Sequence, residues 1–241
     1  MVAAPMASRI LVVTPTYNES GNVERFVDGV LRWMPEANVM IVDDASPDGT
    51  GDIADRMAAA DPRVKVMHRP GKMGLGTAYV QAFQKGLEEG YDLFFEMDAD
   101  LSHDPMHLPS FQKAFARGAD VVIGSRNIPG GGVTGWGLGR HFLSKGGSLY
   151  SRTILGVDVK DLTSGYKAFR ADVLRAIDLN SVQSNGYSFQ IELTYRALQK
   201  GFKIVEVPIH FVDRTHGTSK MSQRIFLEAV GVVWKLRLDK R

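Results

Sequence analysis

The sequence contains no cysteine. That absence excludes a disulfide framework, a thiolate nucleophile and Cys-ligated zinc, and it favours a cytoplasmic setting. Also missing is any run of about 18 apolar residues to span a bilayer. The opening stretch from Met1 to Ser8 has no charged leader before a long apolar core, so it reads as a frayed tail and not a signal peptide. No excess of one charge is present either. With 29 Lys and Arg against 27 Asp and Glu, a net +2 gives no electrostatic case for nucleic acid. Several catalytic signatures are absent too. The six histidines show no H-E-x-x-H spacing, and although His103 and His107 lie four apart, Pro105 between them marks a helix start, so they need not share a face. Without G-x-S-x-G, serine hydrolysis has no support. The glycines of Gly71-Lys72-Met73-Gly74-Leu75-Gly76 fit neither the P-loop nor the dinucleotide fingerprint, because Tyr79 stands where the latter needs a third small residue. They read as a turn before a helix.

What is present suits one α/β domain: 241 residues, 44% hydrophobic and 23% charged. Short β-branched or aromatic runs at Ile10–Val13, Val39–Val42, Val64–Met67 and Leu93–Met97 alternate with helical spacing such as Val23, Phe26, Val27, Val30 and Leu31. Strands alternating with helices imply a parallel sheet wound with right-handed crossovers. A fifth strand, Val121–Gly124, leads into Ser125-Arg126. Asn127–Gly139 holds six glycines and one proline and reads as a mobile loop, either a lid or a plain connection. A helix follows from Arg140 to Leu155, and then Asp161–Phe169 reads as a loop leading to a strand. Another helix starts near Gly186 and stops at Gly201, and a last strand contains Pro208, which suggests a sheet edge. Residues 222–241 read as an amphipathic helix with a basic end. Two readings stay open for it: a core helix whose cations suit its C-terminus, or a helix at an anionic membrane surface.

Ligands of open parallel sheets bind outside the carboxyl ends of the strands. The polar residues fall there: Glu19, Asp44, and Asp98 with Asp100 each follow a strand. Carboxylates are costly to desolvate, so two at i and i+2 where a strand opens are best explained by a cation between them. Mg²⁺ or Mn²⁺ fits, because such ions take one or two carboxylates and complete their shell with substrate phosphates. Asp44 suits hydrogen bonding to a base or ribose. A phosphoacceptor receiver would also place acids after a strand, but it would be about half this length and would leave Arg126, Arg214 and Lys220 unexplained.

Together, Pro15-Thr16-Tyr17-Asn18-Glu19, Val42-Asp43-Asp44-Ala45-Ser46-Pro47-Asp48-Gly49-Thr50, Asp98-Ala99-Asp100-Leu101-Ser102-His103, Gly124-Ser125-Arg126 and Leu162-Thr163-Ser164-Gly165-Tyr166 resemble family 2 glycosyltransferases. Among these they are most similar to dolichol- or polyprenol-phosphate mannose synthases. The resemblance runs from about Arg9 to Lys220. It implies a single domain of GT-A type, a Rossmann-like, mostly parallel sheet flanked by helices. It further implies GDP-mannose as donor, a divalent metal, a polyprenyl phosphate acceptor and inversion at the anomeric carbon. By this resemblance Pro15, Tyr17, Glu19, Val42 and Asp44 hold the guanosine part, and Asp98, Ala99 and Asp100 meet donor and metal, with Ser102 where relatives carry a further ligand. Arg126, Arg214 and Lys220 match donor-phosphate residues, and Arg140 and Ser144 fall where a lipid phosphate is held. The expected location is peripheral, at the cytoplasmic face of a membrane, reached through the protein's surface or a membrane-anchored partner. Two alternatives remain: a related transferase moving glucose or another sugar to polyprenyl phosphate, and an inactive nucleotide-sugar binder, against which intact Asp98, Asp100, Arg126 and Arg214 argue.

Overall fold

The computed structural model describes residues 8–182, 184, 186–213 and 223–238. The expected tail before Ser8 lies outside them. In chain order the elements are β1 (Ile10–Thr16), α1 (Val23–Trp33), β2 (Ala37–Asp43), α2 (Thr50–Ala60), β3 (Val64–His68), α3 (Leu75–Glu88), β4 (Leu93–Glu96), α4 (Leu108–Ala116) and β5 (Val121–Ser125). There follow β6 (Gly132–Thr134), α5 (Leu138–Leu155), β7 (Lys167–Arg170), α6 (Ala171–Ala176), α7 (Tyr187–Gln199), β8 (Ile204–Pro208), β9 (His210–Val212) and α8 (Gln223–Leu238).

Seven strands form one sheet in the order β3-β2-β1-β4-β7-β5-β8. Strands β1 to β4 are mutually parallel, as the alternating pattern predicts, and β8 with its Pro208 does lie at an edge. The departure from expectation is β7. It runs antiparallel between β4 and β5, pairing Glu96 with Lys167 and Val121 with Phe169. An antiparallel strand enters the sheet where its parallel neighbours leave it, so the loop before β7 reaches the same rim as the ends of β1, β2, β4 and β5.

Buried strands alternate their side chains between two apolar layers. Phe94 packs with Leu11, Phe83, Phe169 and Phe189 on one face, while Phe95 packs with Phe26, Phe111 and Tyr166 on the other. Each such ring contributes roughly 2–3 kcal/mol by leaving water. Gly86 lets α3 sit close on the sheet, since a Cβ there would lie 2.5 Å from Phe94 and 2.7 Å from Leu11. Helix α8 adds the fully buried Val233 to the first layer. The glycine-rich stretch after Arg126 is only partly a loop. It contains β6, whose backbone is ordered by parallel pairing with β9 in a separate two-stranded sheet over the rim.

Candidate active site

The loops after β1 and β2 are built as one unit. Ser46 Oγ accepts the Asn18 amide at 3.1 Å, Thr50 Oγ1 the Glu19 amide at 2.9 Å, and the Asp48 carboxylate the Ser20 amide at 3.0 Å. This is the physical content of the Ser-Pro-Asp-Gly-Thr string: short oxygen-bearing side chains satisfying backbone donors of a neighbouring loop. Burial alone would raise Asp48, but hydrogen bonds from Thr50 and Ser20 outweigh it and hold the carboxyl at about 2. Asp43, buried at the end of β2, accepts from Thr16 and twice from Ser46. Asn18, Ala45 and Leu101, in the loops after β1, β2 and β4, all have positive φ near 50–65°. Such backbone costs of order 1–3 kcal/mol at a non-glycine residue and persists where the surrounding structure over-determines it, here through the hydrogen bonds within and between the loops.

Asp44 receives the buried Arg69, whose Nε lies 2.6 Å from Asp44 Oδ1 and whose other nitrogens donate to Thr77 Oγ1 and the Gly74 carbonyl. Arg69 thereby ties the glycine-rich link to the rim. On that link Lys72 Nζ stands 4.6 Å from the centre of the Tyr17 ring.

Beyond β4, Asp98 and Asp100 stand in a tight turn. Asp100 Oδ1 accepts from the Ser102 amide at 3.0 Å and its hydroxyl at 2.6 Å, and the Asp98 amide donates to His103 Nδ1 at 3.1 Å. His103 is 3% exposed and sits between Tyr166 and Phe211. Burial, reinforced by Arg126 and opposed by Asp100, lowers it to about 4, so its ring is neutral and its Nδ1 is an acceptor. Ser102 is buried with its hydroxyl given to Asp100; it shapes the carboxylate. Gly165, before β7, lies against this turn, where a Cβ would be 3.7 Å from Asp98 Oδ2.

Arg126, at the end of β5, donates from its backbone amide and Nε to Asp161 Oδ2 and from Nη2 to Asp161 Oδ1, at 2.7–2.9 Å. Both side chains are nearly closed to solvent, at 7% and 0% exposed. Burial would raise Asp161, but the Arg126 charge and hydrogen bonds hold it below the ordinary value. The guanidinium also lies 5.5–5.6 Å from the rings of Trp136 and Phe211. Glu206 on the edge strand secures the Asp161 loop by accepting the Lys160 and Asp161 amides at 2.8 and 3.0 Å.

Behind the acidic turn, Lys167 Nζ donates to the carbonyls of Leu162 and Gln190 and to Thr194 Oγ1. Burial pushes Lys167 down to about 7, with Glu96 opposing, and pushes Glu96 up to about 8, with Lys167 opposing. Among the described residues neither Glu96 oxygen closes a hydrogen bond, although Gln190 lies beside it.

This arrangement of strands and rim is shared. A family model described as glycosyl transferase family 2 matches residues 11–178. The chain belongs to glycosyltransferase family 2. It is therefore an enzyme that moves a sugar. Over 233 residues the transferase is 52% identical to an undecaprenyl-phosphate mannosyltransferase of Micrococcus luteus, covering 97% of this chain and 96% of that one. It is 50% identical over 232 residues to a polyprenol monophosphomannose synthase of Mycolicibacterium smegmatis, covering 95% and 88%. Among solved structures, a glucosyl-3-phosphoglycerate synthase from Mycobacterium tuberculosis matches with TM-score 0.70 at 19% identity, covering 96% of this chain and 79% of that chain. A mannosyltransferase from Pyrobaculum calidifontis, in complex with GDP-Man and Mn²⁺, matches with TM-score 0.59 at 16% identity, covering 98% and 71%. Those two carry the fold, the GT-A type expected from sequence.

In the transferase, Pro15, Tyr17, Glu19, Val42, Asp44, Asp98, Ala99, Asp100 and Arg126 come to one rim from four strands. Ser144 lies on α5, one turn before Ser148, whose hydroxyl is 3.3 Å from Thr163, itself bonded to Arg126. Arg140 is on the same helix, its side chain outside the described residues, as are Arg214 and Lys220 altogether. The chain reaches Asp213, just before them, with its amide on the Thr134 carbonyl beside β6. Residues that sequence reasoning missed are Arg69, Asp161, Glu206, Glu96 and Lys167. Asp161 adjoins the Leu-Thr-Ser-Gly-Tyr string, which was a signal; the partners of the others are contacts made only on folding.

Proposed function

We propose that the transferase moves mannose from GDP-mannose to a polyprenyl phosphate, with inversion, using a divalent cation. The observation that carries this reading is the near-complete alignment, at about half identity, with a relative named undecaprenyl-phosphate mannosyltransferase. The rim chemistry supports it. Pro15, Tyr17, Glu19, Val42 and Asp44 would receive the guanosine, on loops that Ser46, Asp48 and Thr50 already hold in place. Asp98 and Asp100 would hold Mg²⁺ or Mn²⁺, which when bound supplies positive charge to the departing nucleoside diphosphate. The donor set fits such an ion: two carboxylates two residues apart where β4 opens into its loop. Arg126, with Arg214 and Lys220, would face the donor phosphates, and Arg140 and Ser144 the acceptor phosphate.

The attacking group is a phosphate monoester, already largely anionic at neutral pH because its second pKa is about 6. No strong base is needed, in keeping with a His103 that is buried and neutral. An acceptor phosphate oxygen bonds to the anomeric carbon from the face opposite the departing GDP, whose oxygen keeps the electron pair of the broken bond. The residues contribute positioning and fixed charge. The test is incubation with radiolabelled GDP-mannose, Mg²⁺ or Mn²⁺, and a short polyprenyl phosphate, followed by organic extraction. Label should enter the organic phase; label from UDP-glucose entering in its place would overturn the choice of donor.

A further inference from the structure

One edge of the seven-stranded sheet is open. Strand β8, last in the sheet order, pairs in parallel with β5 and, among the described residues, with no strand on its other side. Successive residues of a strand turn their backbone groups to opposite sides. The Lys203 carbonyl accepts the Asp120 and Val121 amides, and the Ile209 amide donates to the Ser125 carbonyl, so the odd-numbered residues between them face β5. Ile204 and Glu206 therefore present their N–H and C=O groups away from it. Against this edge α4 leaves a groove of about 450 Å³, on the face of the sheet opposite α5 and α8. Its floor is apolar, from Ala114, Val205 and Val207. Its rim is basic: Lys113 and Arg117, one turn apart on α4, and Lys203 just before β8 are all exposed. The acids nearby are already taken. Asp120 accepts the Lys203 amide at 2.8 Å, and Glu206 turns its carboxylate to the other face, onto the Lys160 and Asp161 amides. Among the described residues neither Lys113 nor Arg117 is in an ion pair.

We infer that this groove docks an extended acidic segment of a partner protein, which adds to the sheet beside β8 and sets alternate acidic side chains over Lys113, Arg117 and Lys203. Main-chain bonds to Ile204 and Glu206 supply affinity in this mode, and the basic rim supplies specificity. Residues on one face of a strand recur roughly every 7 Å, close to the rise of about 5.4 Å in one helical turn, so acids two residues apart can meet Arg117 and Lys113 together. A small anion fits less well, because the three cations are exposed and the unpaired backbone groups ask for polypeptide. A second copy of this chain would set the three cations against their equals. Lysine and proline commonly blunt an edge, but Lys203 and Pro208 stand at the two ends of this one and leave residues 204–207 open. Through Glu206 the same strand secures the Asp161 loop and with it Arg126, which sets the docking edge one step from the rim. The inference is independent of the choice of donor and acceptor.

The test uses the full chain and a fluorescein-labelled, end-blocked heptapeptide, Val-Thr-Glu-Thr-Glu-Thr-Val, whose valines and glutamates share one face when extended and which reads alike in both directions. Fluorescence anisotropy should show saturable binding that weakens as salt shortens the reach of charge. Hydrogen exchange at the Ile204 and Glu206 amides should slow when the peptide is added. K113Q/R117Q/K203Q should weaken binding about tenfold, at roughly twofold per exposed ion pair, with an unchanged urea midpoint. The same peptide N-methylated at every peptide bond keeps its charges but cannot donate to a ladder, and it should not bind. Wild-type protein that ignores the heptapeptide, or that binds the methylated form equally well, would overturn the inference. So would displacement of the peptide by a comparable concentration of citrate, which would mark the groove as a site for free anions.

Discussion

Replacing Lys167 by Met asks how much the buried ammonium behind the acidic turn holds together. Methionine retains the apolar stem and removes three hydrogen bonds, from Nζ to the Leu162 carbonyl at 3.2 Å, the Gln190 carbonyl at 2.6 Å and Thr194 Oγ1 at 2.8 Å. Leu162 belongs to the loop that carries Asp161, and Gln190 and Thr194 belong to α7, so the substitution unfastens the site loop from the helix behind it. At about 1 kcal/mol net per bond the loss is roughly 3 kcal/mol. With a urea slope of about 3 kcal/mol per M, the unfolding midpoint should fall by about 1 M. The effect should also depend on pH. Burial holds Lys167 at about 7 in the folded chain, below its ordinary 10.5, with Glu96 opposing. Between those values the folded state binds fewer protons than the unfolded one, so the stability linked to Lys167 is fully present above the higher value and is lost as pH falls through about 7. The deficit of K167M should therefore widen from pH 7 to 9, by at most about 1.4 kcal/mol per unit. A midpoint within about 0.2 M of wild type, or a deficit that stays flat or shrinks over that range, would refute the account.

Two further substitutions separate chemistry from scaffold. Asp100→Asn keeps an acceptor for the Ser102 amide and hydroxyl but removes a charge, so transfer should fall by at least about 100-fold, comparable to losing one electrostatic contact to the transition state, with an unchanged urea midpoint. Near-normal turnover in a titration with Mg²⁺ or Mn²⁺ would remove Asp100 from the metal assignment. Asp161→Asn leaves the nearly buried Arg126 facing a neutral amide, which should cost about 3 kcal/mol, whereas the double change R126M/D161L should recover much of that stability without activity, since neither charge then remains. Equal midpoints for the single and double variants would show that the pair's charge is not what matters.

The acidic turn and the order of the elements were legible in the chain because they are local. An apolar run of four or five residues ending in Asp-x-Asp reads the same before and after folding, and so do the Ser-Pro-Asp-Gly-Thr and Leu-Thr-Ser-Gly-Tyr strings. Pro208 announced an edge because proline cannot donate to a second neighbour, and β8 lies there. The glycine-rich stretch after Arg126 misled for a related reason. Glycine content reports backbone freedom, and β6 exists only because β9, some 75 residues later in the chain, pairs with it.

By itself, then, the amino-acid order determined the family, the alternation of strands and helices, and the candidate carboxylates at strand ends, all properties of short stretches with their own periodicity. Tertiary structure alone decided the direction of β7, which brings the Asp161–Tyr166 loop to the rim, and with it the pairing of Arg126 with Asp161. The same holds for the pairing of Asp44 with Arg69, and for the register that sets Glu96 opposite Lys167 across the sheet. A charge in a sequence carries no record of its counter-charge. Whether Arg126 is a free phosphate hand or one fixed by Asp161 depends on which groups burial forces together, and that is settled only when strands from both halves of the chain lie side by side.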